Sequence, residues 1–348
     1  MSDNLYLELS DRSKKIFKSV VETYLETGYP SGSEKILKKG GIELSSSSIR
    51  SILAELQNEG LLYSPHTSAG RLPTNKGMRL FVDGLLEFGR LSKNEEENIK
   101  QQCTSRGSSF QEVLDDASKL ISGLSNHVGI VVAPKYQNNI KHIEFIRLNQ
   151  SQIMSIIAST NGQIENRIIE DGGSYSENIL REISNFLNSK YLNKSIEEIK
   201  KNIEIDIKNS QGRLEVISKN LIQKGILEIT PNSENPYIFL HGQSKLLEDE
   251  IISKDLDQIR NLFDEIENKT SFVQILENTN NANGVQIFIG SQNFLFKHSG
   301  LSVVMAPYKN KDQKIIGAIG VVGPTRLNYS KIVPLVDYTS KIIGKVLS

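Results

Sequence analysis

Residues 45–74 read SSSSIRSILAELQNEGLLYSPHTSAGRLPT, and the order of patterns in this stretch decides the fold. Ile49, Ile52, Leu53 and Leu56 recur at i, i+3, i+4 and i+7, one face of a helix at 100° per residue. Ser45 is placed to cap that helix, and Gly60, just past Glu59, is placed to close it. Ser47, Ser51, Ala54 and Asn58 fall on the opposite face, with Arg50 on the flank. Leu61-Leu62-Tyr63 then reads as a short strand, Ser64 to Arg71 as a tight polar finger, and Leu72-Pro73-Thr74 as a returning strand.

Upstream, Asp11 to Thr27 is predicted as a helix capped by Ser10, with Ile16, Phe17, Val20, Val21, Tyr24 and Leu25 on one side and Gly28-Tyr29-Pro30 ending it. Ser31-Gly32-Ser33 is expected to open a second short helix running to about Lys39, followed by a Gly40-Gly41 turn. Downstream, Thr74 caps a further helix whose apolar side is Phe81, Val82, Leu85 and Leu86. Three helices, a strand, a finger and a strand are the order of a winged helix-turn-helix, assigned to residues 1–90. In that reading small, hydrogen-bonding groups let the third helix lie close in a DNA major groove. Its contacts are expected from Ser46, Ser47, Arg50 and Ser51, with Arg50 on a guanine edge or a phosphate. The finger adds His66, Thr67, Ser68 and Arg71 for phosphate or the minor groove, and Lys76 and Arg79 add backbone contacts. Taken alone, the pattern of the third helix favours an ordinary solvated face; the finger that follows it turns the reading towards DNA.

Charge agrees in sign. The chain of 348 residues is neutral, with 41 Lys+Arg against 41 Asp+Glu. Ser10 to Leu80, however, holds 11 Lys/Arg and 7 Asp/Glu, leaving the remainder slightly acidic.

Beyond a polar linker at 91–109 and a helix from Phe110 to about Asn126, the period changes. His127 to Pro134, Ile140 to Asn149, Gln152 to Ser159 and Gln163 to Glu170 are Ile/Val-rich strands, with Asn161-Gly162 suited to a two-residue hairpin. A helix follows over Ser174 to Lys190. Near the C-terminus, Val285 to Gly290, Leu301 to Tyr308 and Gln313 to Val322 are strand-like, and Asn328 to Leu347 is helical. Strands from both sides can share one antiparallel sheet. The intervening 195–280 is Lys/Glu/Asn-rich and mainly helical. There Ile252, Leu256, Ile259, Phe263 and Ile266 repeat at 4-3-4-3, which fits either packing within the same domain or a dimer surface.

A single cysteine, Cys103, excludes a disulfide framework and reads as a structurally neutral thiol. Met1 to Leu9 lacks the pattern of a signal peptide. The longest apolar run, Ile315 to Val322, falls far short of the ~20 residues of a membrane helix. A soluble cytoplasmic protein with no membrane partner is expected. Gly317, Gly320 and Gly323 do not match a dinucleotide or phosphate-binding fingerprint. Histidines 66, 127, 142, 241 and 298 have no metal spacing, so neither an enzyme nor a cofactor is expected.

Pro65-His66-Thr67-Ser68-Ala69-Gly70-Arg71, Pro73-Thr74-Asn75-Lys76-Gly77-Met78-Arg79 and Val82-Asp83-Gly84-Leu85-Leu86 closely resemble the heat-inducible transcription repressor HrcA family. So do Ile49-Arg50 with Ala54-Glu55-Leu56, and the run Gly317 to Arg326 with Tyr329-Ser330 and Val336-Asp337-Tyr338. Tyr237 to Gly242 with Leu246-Leu247-Glu248 is the best match in the middle. The resemblance implies an α+β chain of three parts: the winged helix, a GAF-like domain with an antiparallel sheet (110–194 and 281–348), and a helical dimerising domain inserted at 195–280. It moves Ile252, Leu256, Ile259 and Phe263 towards the dimer reading. It also implies repression of chaperone operons by a homodimer on an inverted-repeat operator, CIRCE, with the GroE chaperonin as a partner.

Two departures lie in the third helix. Ser51 stands where the family usually has Asn, on the DNA-facing side, and Leu53 stands for Met. A competing reading is a metabolite-sensing winged-helix regulator with its ligand in the GAF-like part, although the sequence commits no polar cluster to a ligand.

Overall fold

The computed structural model describes residues 9–40, 44–66, 69–104, 109–133, 139–160, 162, 164–170, 175–195, 198–199, 221, 236–248, 257, 260, 264, 284–290 and 301–347. Helix α1 (Asp11–Thr27) begins where the Ser10 hydroxyl accepts from Ser13 N at 3.1 Å. It ends at Gly28, whose left-handed backbone lets its N–H reach Tyr24 O at 2.8 Å. α2 (Ser33–Gly40) is short. α3 (Ser46–Asn58) starts on Ser45, which accepts from Ser48 N at 3.1 Å. β1 (Leu62–Tyr63) and β2 (Leu72–Pro73) pair antiparallel, Leu62 opposite Pro73. α4 (Asn75–Gly84) is capped by Thr74. All three caps and the element order follow the sequence reading.

Ser31 differs from it. Instead of opening α2 it forms a β-bridge to Arg71, donating its N–H to Arg71 O at 3.0 Å and accepting from Arg71 N at 2.9 Å. Pro30 leaves Tyr29 little access to helical backbone angles, so the chain stays extended into this bridge. Gly70 permits the approach, because a Cβ there would lie 2.4 Å from the Ser31 carbonyl.

The stretch expected to be a polar linker contains α5 (Lys93–Cys103), held by a capping box. Ser92 N donates to Glu95 Oε2 at 2.9 Å, and Glu95 N donates to Ser92 Oγ at 3.3 Å. Ile99 and Cys103, four residues apart, are its buried contacts. Burial, with Asp116 adding repulsion, pushes the Cys103 thiol up to about 11. At pH 8 about one thiol in a thousand is then ionised, so native Cys103 should resist a thiolate-specific reagent such as Ellman's and react fully only in denaturant. Rapid native labelling would show that α5 opens.

α6 (Phe110–Ser125) leads into β3 (Val128–Ala133), and β4 (Ile140–Arg147), β5 (Gln152–Ser159), β6 (Ile164–Glu170) and α7 (Glu177–Tyr191) follow. Then come β7 (Tyr237–His241), α8 (Ser244–Leu247), β8 (Gln286–Ile289), β9 (Leu301–Lys309), β10 (Ile315–Pro324) and α9 (Tyr329–Val346). One antiparallel sheet has the order β7-β3-β10-β9-β8, and a separate one has the order β4-β5-β6. The expected sheet shared by strands from both halves therefore takes only β3 from the first four. β3 and β10 are buried along almost their whole length, as central strands must be, whereas β4 to β6 bury one face against α7.

Residues 140–191, with Ile199 and Leu221, form a separate apolar cluster around Ile143, Phe145, Ile157, Leu180 and Leu187. Tyr237–His241, placed by the sequence in the helical insert, pairs with β3 from Ala133↔Tyr237 to Gly129↔His241. Ile252, Leu256, Ile259 and Phe263 lie outside the described residues.

α6 and α9 cover one face of the five-stranded sheet. The apolar cluster beneath them runs without a break from Ile16 and Phe17 in α1, through Phe81 and Ile99, to Val304, Val321 and Leu335. Polar ties reinforce it. Pro334 has no N–H for Ser330 O, and Gly89 N donates to that carbonyl instead, at 3.0 Å. Tyr24 Oη lies 3.3 Å from Thr325 Oγ1. No helix among the described residues is long and apolar enough to cross a membrane.

Candidate nucleic-acid interface

α3 presents the face its spacing requires. Ile49, Leu53 and Leu56 are buried, while Ser47, Arg50, Ser51, Ala54 and Asn58 are exposed. Ser46 is half-buried, its hydroxyl 3.4 Å from that of Ser33, so it joins α3 to the start of α2. Ser47 Oγ lies 2.8 Å from Ser45 Oγ at the helix start.

The finger after β1 is folded by its own first residue. Ser64 Oγ donates towards His66 O at 2.6 Å and lies 3.3 Å from Ala69 O, and Ala69 N donates to His66 O at 3.0 Å. His66 is exposed; Thr67 and Ser68 lie outside the described residues. Tyr63 borders the finger, and its phenol is pushed up by partial burial and then by Tyr24, so it is a neutral hydrogen-bonding group at physiological pH.

Arg71 leaves the finger on the strand bridged to Ser31. Its Nη1 donates to Ala69 O at 3.3 Å. Its Nε and the Ser31 hydroxyl are buried without a hydrogen-bond partner among the described residues. A groove of about 600 Å³ runs between this bridge, the first turn of α2 and α3. Arg50, Arg71 and Lys35 bring three cations to it against the carboxylate of Glu34. The first amides of α2, Ser33 and Glu34, are on the same wall and have no partner within the helix. Three cations beside a helix N-terminus form an arrangement suited to phosphate.

Two expected contacts have other occupations. Lys76 Nζ donates to Glu59 O at 2.9 Å and so caps the end of α3. Arg79 pairs with Asp83, Nε to Oδ2 at 2.7 Å, and its Nη1 donates to Ile287 O at 2.6 Å on β8. It fastens α4 to the five-stranded sheet. Ser31 and Lys35, which sequence reasoning passed over, join the groove instead. Their signal was weak, because the bridge that brings Ser31 to Arg71 spans 40 positions. Among the described residues no group of three or more His, Cys, Asp and Glu can hold a metal ion.

The sequence profile of the family described as "HrcA protein C terminal domain" matches residues 111–333. The chain is 41% identical over 339 residues to the heat-inducible transcription repressor HrcA of Gluconobacter oxydans, covering 97% of this chain and 95% of that protein. It is 40% identical over 341 residues to the protein of the same name from Caulobacter vibrioides, covering 98% and 95%. The Chelativorans protein of that name is 40% identical over 351 residues, covering 100% and 99%. Among solved structures, a hypothetical protein at 2.2 Å resolution superposes with a TM-score of 0.64 and 23% identity, covering 98% of this chain and 99% of that one, a likeness of fold.

Proposed function

Because the chain belongs to the heat-inducible transcription repressor HrcA family, we propose that it represses chaperone operons by binding, as a homodimer, an inverted-repeat operator of the CIRCE type. The observation that carries this reading is the exposed Arg50–Ser51 face of α3 beside the groove of Arg50, Arg71 and Lys35. We read residues 11–84 as a winged helix-turn-helix. α3 lies in the major groove, where Ser47, Ser51 and Ala54 let its backbone approach the base edges and Arg50 reaches a guanine or a phosphate. The finger with His66 and Arg71 follows the neighbouring backbone. A promoter covered in this way is closed to polymerase. The five-stranded sheet with α6 and α9 is the part read as GAF-like.

Loss of the DNA-competent fold on heating relieves repression, and GroE restores that fold. The proposal is tested by fluorescence anisotropy on a CIRCE duplex and a scrambled duplex across a salt series. Tight binding that prefers the repeat and weakens with salt is expected. Equal, weak binding to both, unchanged by added chaperonin, would overturn it.

An inverted repeat requires two copies of the reader. Support for self-association among the described residues comes from the outer face of β4–β6, where Ile146, Ile164 and Ile168 are 41%, 64% and 64% exposed. Met154 lies between Ile146 and Ile168 in the register. An apolar sheet face left exposed in this way is suited to association. Ile164→Glu with Ile168→Glu is expected to sediment as a monomer and to lose on the order of 100-fold in operator affinity, because the second winged helix is no longer tethered. An unchanged dimer would place the interface elsewhere.

A further inference from the structure

Ser31 carries a hydroxyl that the fold does not use. Its backbone is fully engaged, N–H and carbonyl both bonded to Arg71 in the bridge. Its side chain is wholly buried, and its Oγ has no hydrogen-bond partner among the described residues. Arg71 repeats the pattern across the bridge. Its Nη1 holds Ala69 O, whereas its Nε is buried and has no partner among the same residues. Buried donors are nearly always paired in folded proteins, because an unpaired one gives up its hydration for nothing. Two such donors on bridged residues, both lining one groove, point to an acceptor that comes from outside.

The surroundings indicate the kind of acceptor. α2 starts at Ser33, and the amides of Ser33 and Glu34 have no acceptor inside the helix. Gly32, between the bridge and that first turn, faces open space, since a Cβ there would meet nothing within 4 Å. Lys35 and Arg50, both exposed, stand on the walls. Glu34, on the same wall, is exposed and can turn to solvent. Hydroxyl, guanidinium and helix-start amides are all donors, and a tetrahedral oxyanion accepts from several donors that converge from different sides.

We propose that Ser31 is a phosphate ligand: its hydroxyl, Arg71 Nε and the first amides of α2 grip one phosphodiester of the DNA backbone. The inference rests on residues 11–84 binding a duplex, and not on which operator they read. Both donors are covered in the free protein, so seating the phosphate takes a small shift of the side chains above them. Arg71, held through Nη1 at 3.3 Å, is the one that gives way. The bridge joins the end of the finger to the start of α2, so one phosphate held there fixes both to the same point of the backbone. α3, tied to α2 through Ser46 and Ser33, is thereby set at a defined depth. The contact positions the reader and carries no sequence preference of its own.

The test compares Ser31→Ala with the wild-type chain by thermal melting and by fluorescence anisotropy on the CIRCE and scrambled duplexes. Ser31→Ala should melt at or slightly above the wild-type temperature, because a partnerless hydroxyl adds nothing to the fold. It should bind both duplexes about tenfold more weakly, the effect of losing one hydrogen bond to a charged group. On CIRCE duplexes carrying one neutral methylphosphonate at a time, one linkage per half-site should cost the wild type about as much and cost Ser31→Ala far less, because the two changes remove the same contact. Wild-type affinity of Ser31→Ala for both duplexes would overturn the proposal and leave the operator reading standing. A loss confined to the CIRCE duplex would do the same, since the hydroxyl would then serve base recognition. A melting temperature well below wild type would show that the hydroxyl serves the fold, and would also overturn it. Equal wild-type binding to both duplexes, weakened alike by Ser31→Ala, would sink the operator reading and keep the phosphate site. Melting both proteins in inorganic phosphate against chloride at equal ionic strength separates the sources of the phosphate. A shift in the wild type that Ser31→Ala lacks, with duplex binding unchanged between them, would give the groove to free phosphate and overturn its assignment to the DNA backbone.

Discussion

Gly77→Ala is expected to lower stability by about 3 kcal/mol, the upper part of the range for overpacking a rigid site, and to abolish specific operator binding with it. The Cβ would lie 2.1 Å from Leu61 O and 3.1 Å from Leu61 C, backbone atoms that cannot turn aside. Leu61 O also accepts from Thr74 N at 3.0 Å, so moving α4 off the strand breaks the cap of that helix as well. The finger hangs on the same strands, and its displacement removes Arg71 from the groove. Gly123→Ala is the control. It sits in an open position of α6, with nothing within 4 Å of its Cβ, and should be stabilising by about 0.5–1 kcal/mol. Thermal melts of the two variants decide the matter. A Gly77→Ala protein melting like the wild type would show that α4 can slide without loss.

Arg50→Ala and Arg71→Ala should each cost about 1–3 kcal/mol of operator affinity, but in different ways. Arg50 is exposed on the face of α3 that the proposed function sets against the bases, so its loss should narrow the gap between cognate and scrambled duplexes. Arg71 stands between the finger and the first turn of α2, a place for phosphate. Its loss should weaken both duplexes alike and make binding less steep in salt by about one counterion. If Arg71→Ala reduced only cognate binding, the finger would be reading bases. Arg79→Ala should leave the salt dependence alone and act on stability, because Asp83 and Ile287 O occupy its guanidinium.

Much of the N-terminal unit was legible because its signals are local. Ser10, Ser45 and Thr74 cap helices within three residues of themselves, and the 3.6-residue period alone separates Ile49, Leu53 and Leu56 from Arg50, Ser51 and Asn58. The capping box at Ser92 and Glu95 was equally local, and the polar composition around it hid the helix. What could not be read depends on distant partners. Arg79 looks like any exposed arginine of a fourth helix until a carbonyl 208 positions away is brought to it. Tyr237–His241 is a five-residue stretch, apolar over its first four positions, whose strand character is settled by β3, more than 100 residues earlier. β4 to β6 alternate as one-sided strands do, but alternation does not say which sheet they join. Thr67, Ser68 and the stripe from Ile252 to Phe263 lie outside the described residues.

The apolar cluster that runs unbroken from α1 to α9 leaves the N-terminal unit no boundary along which to melt separately. Calorimetry should then record the N-terminal unit and the five-stranded sheet melting together in one transition, with the separate β4–β6 cluster free to melt by itself. On the proposed function this makes repression a thermostat whose set point is a property of that shared interior. A substitution deep in the sheet, such as Ile319→Val, shifts the temperature of release while every DNA contact stays as it was. A lineage living at a different temperature can retune its stress response through buried side chains alone, without renegotiating its operators.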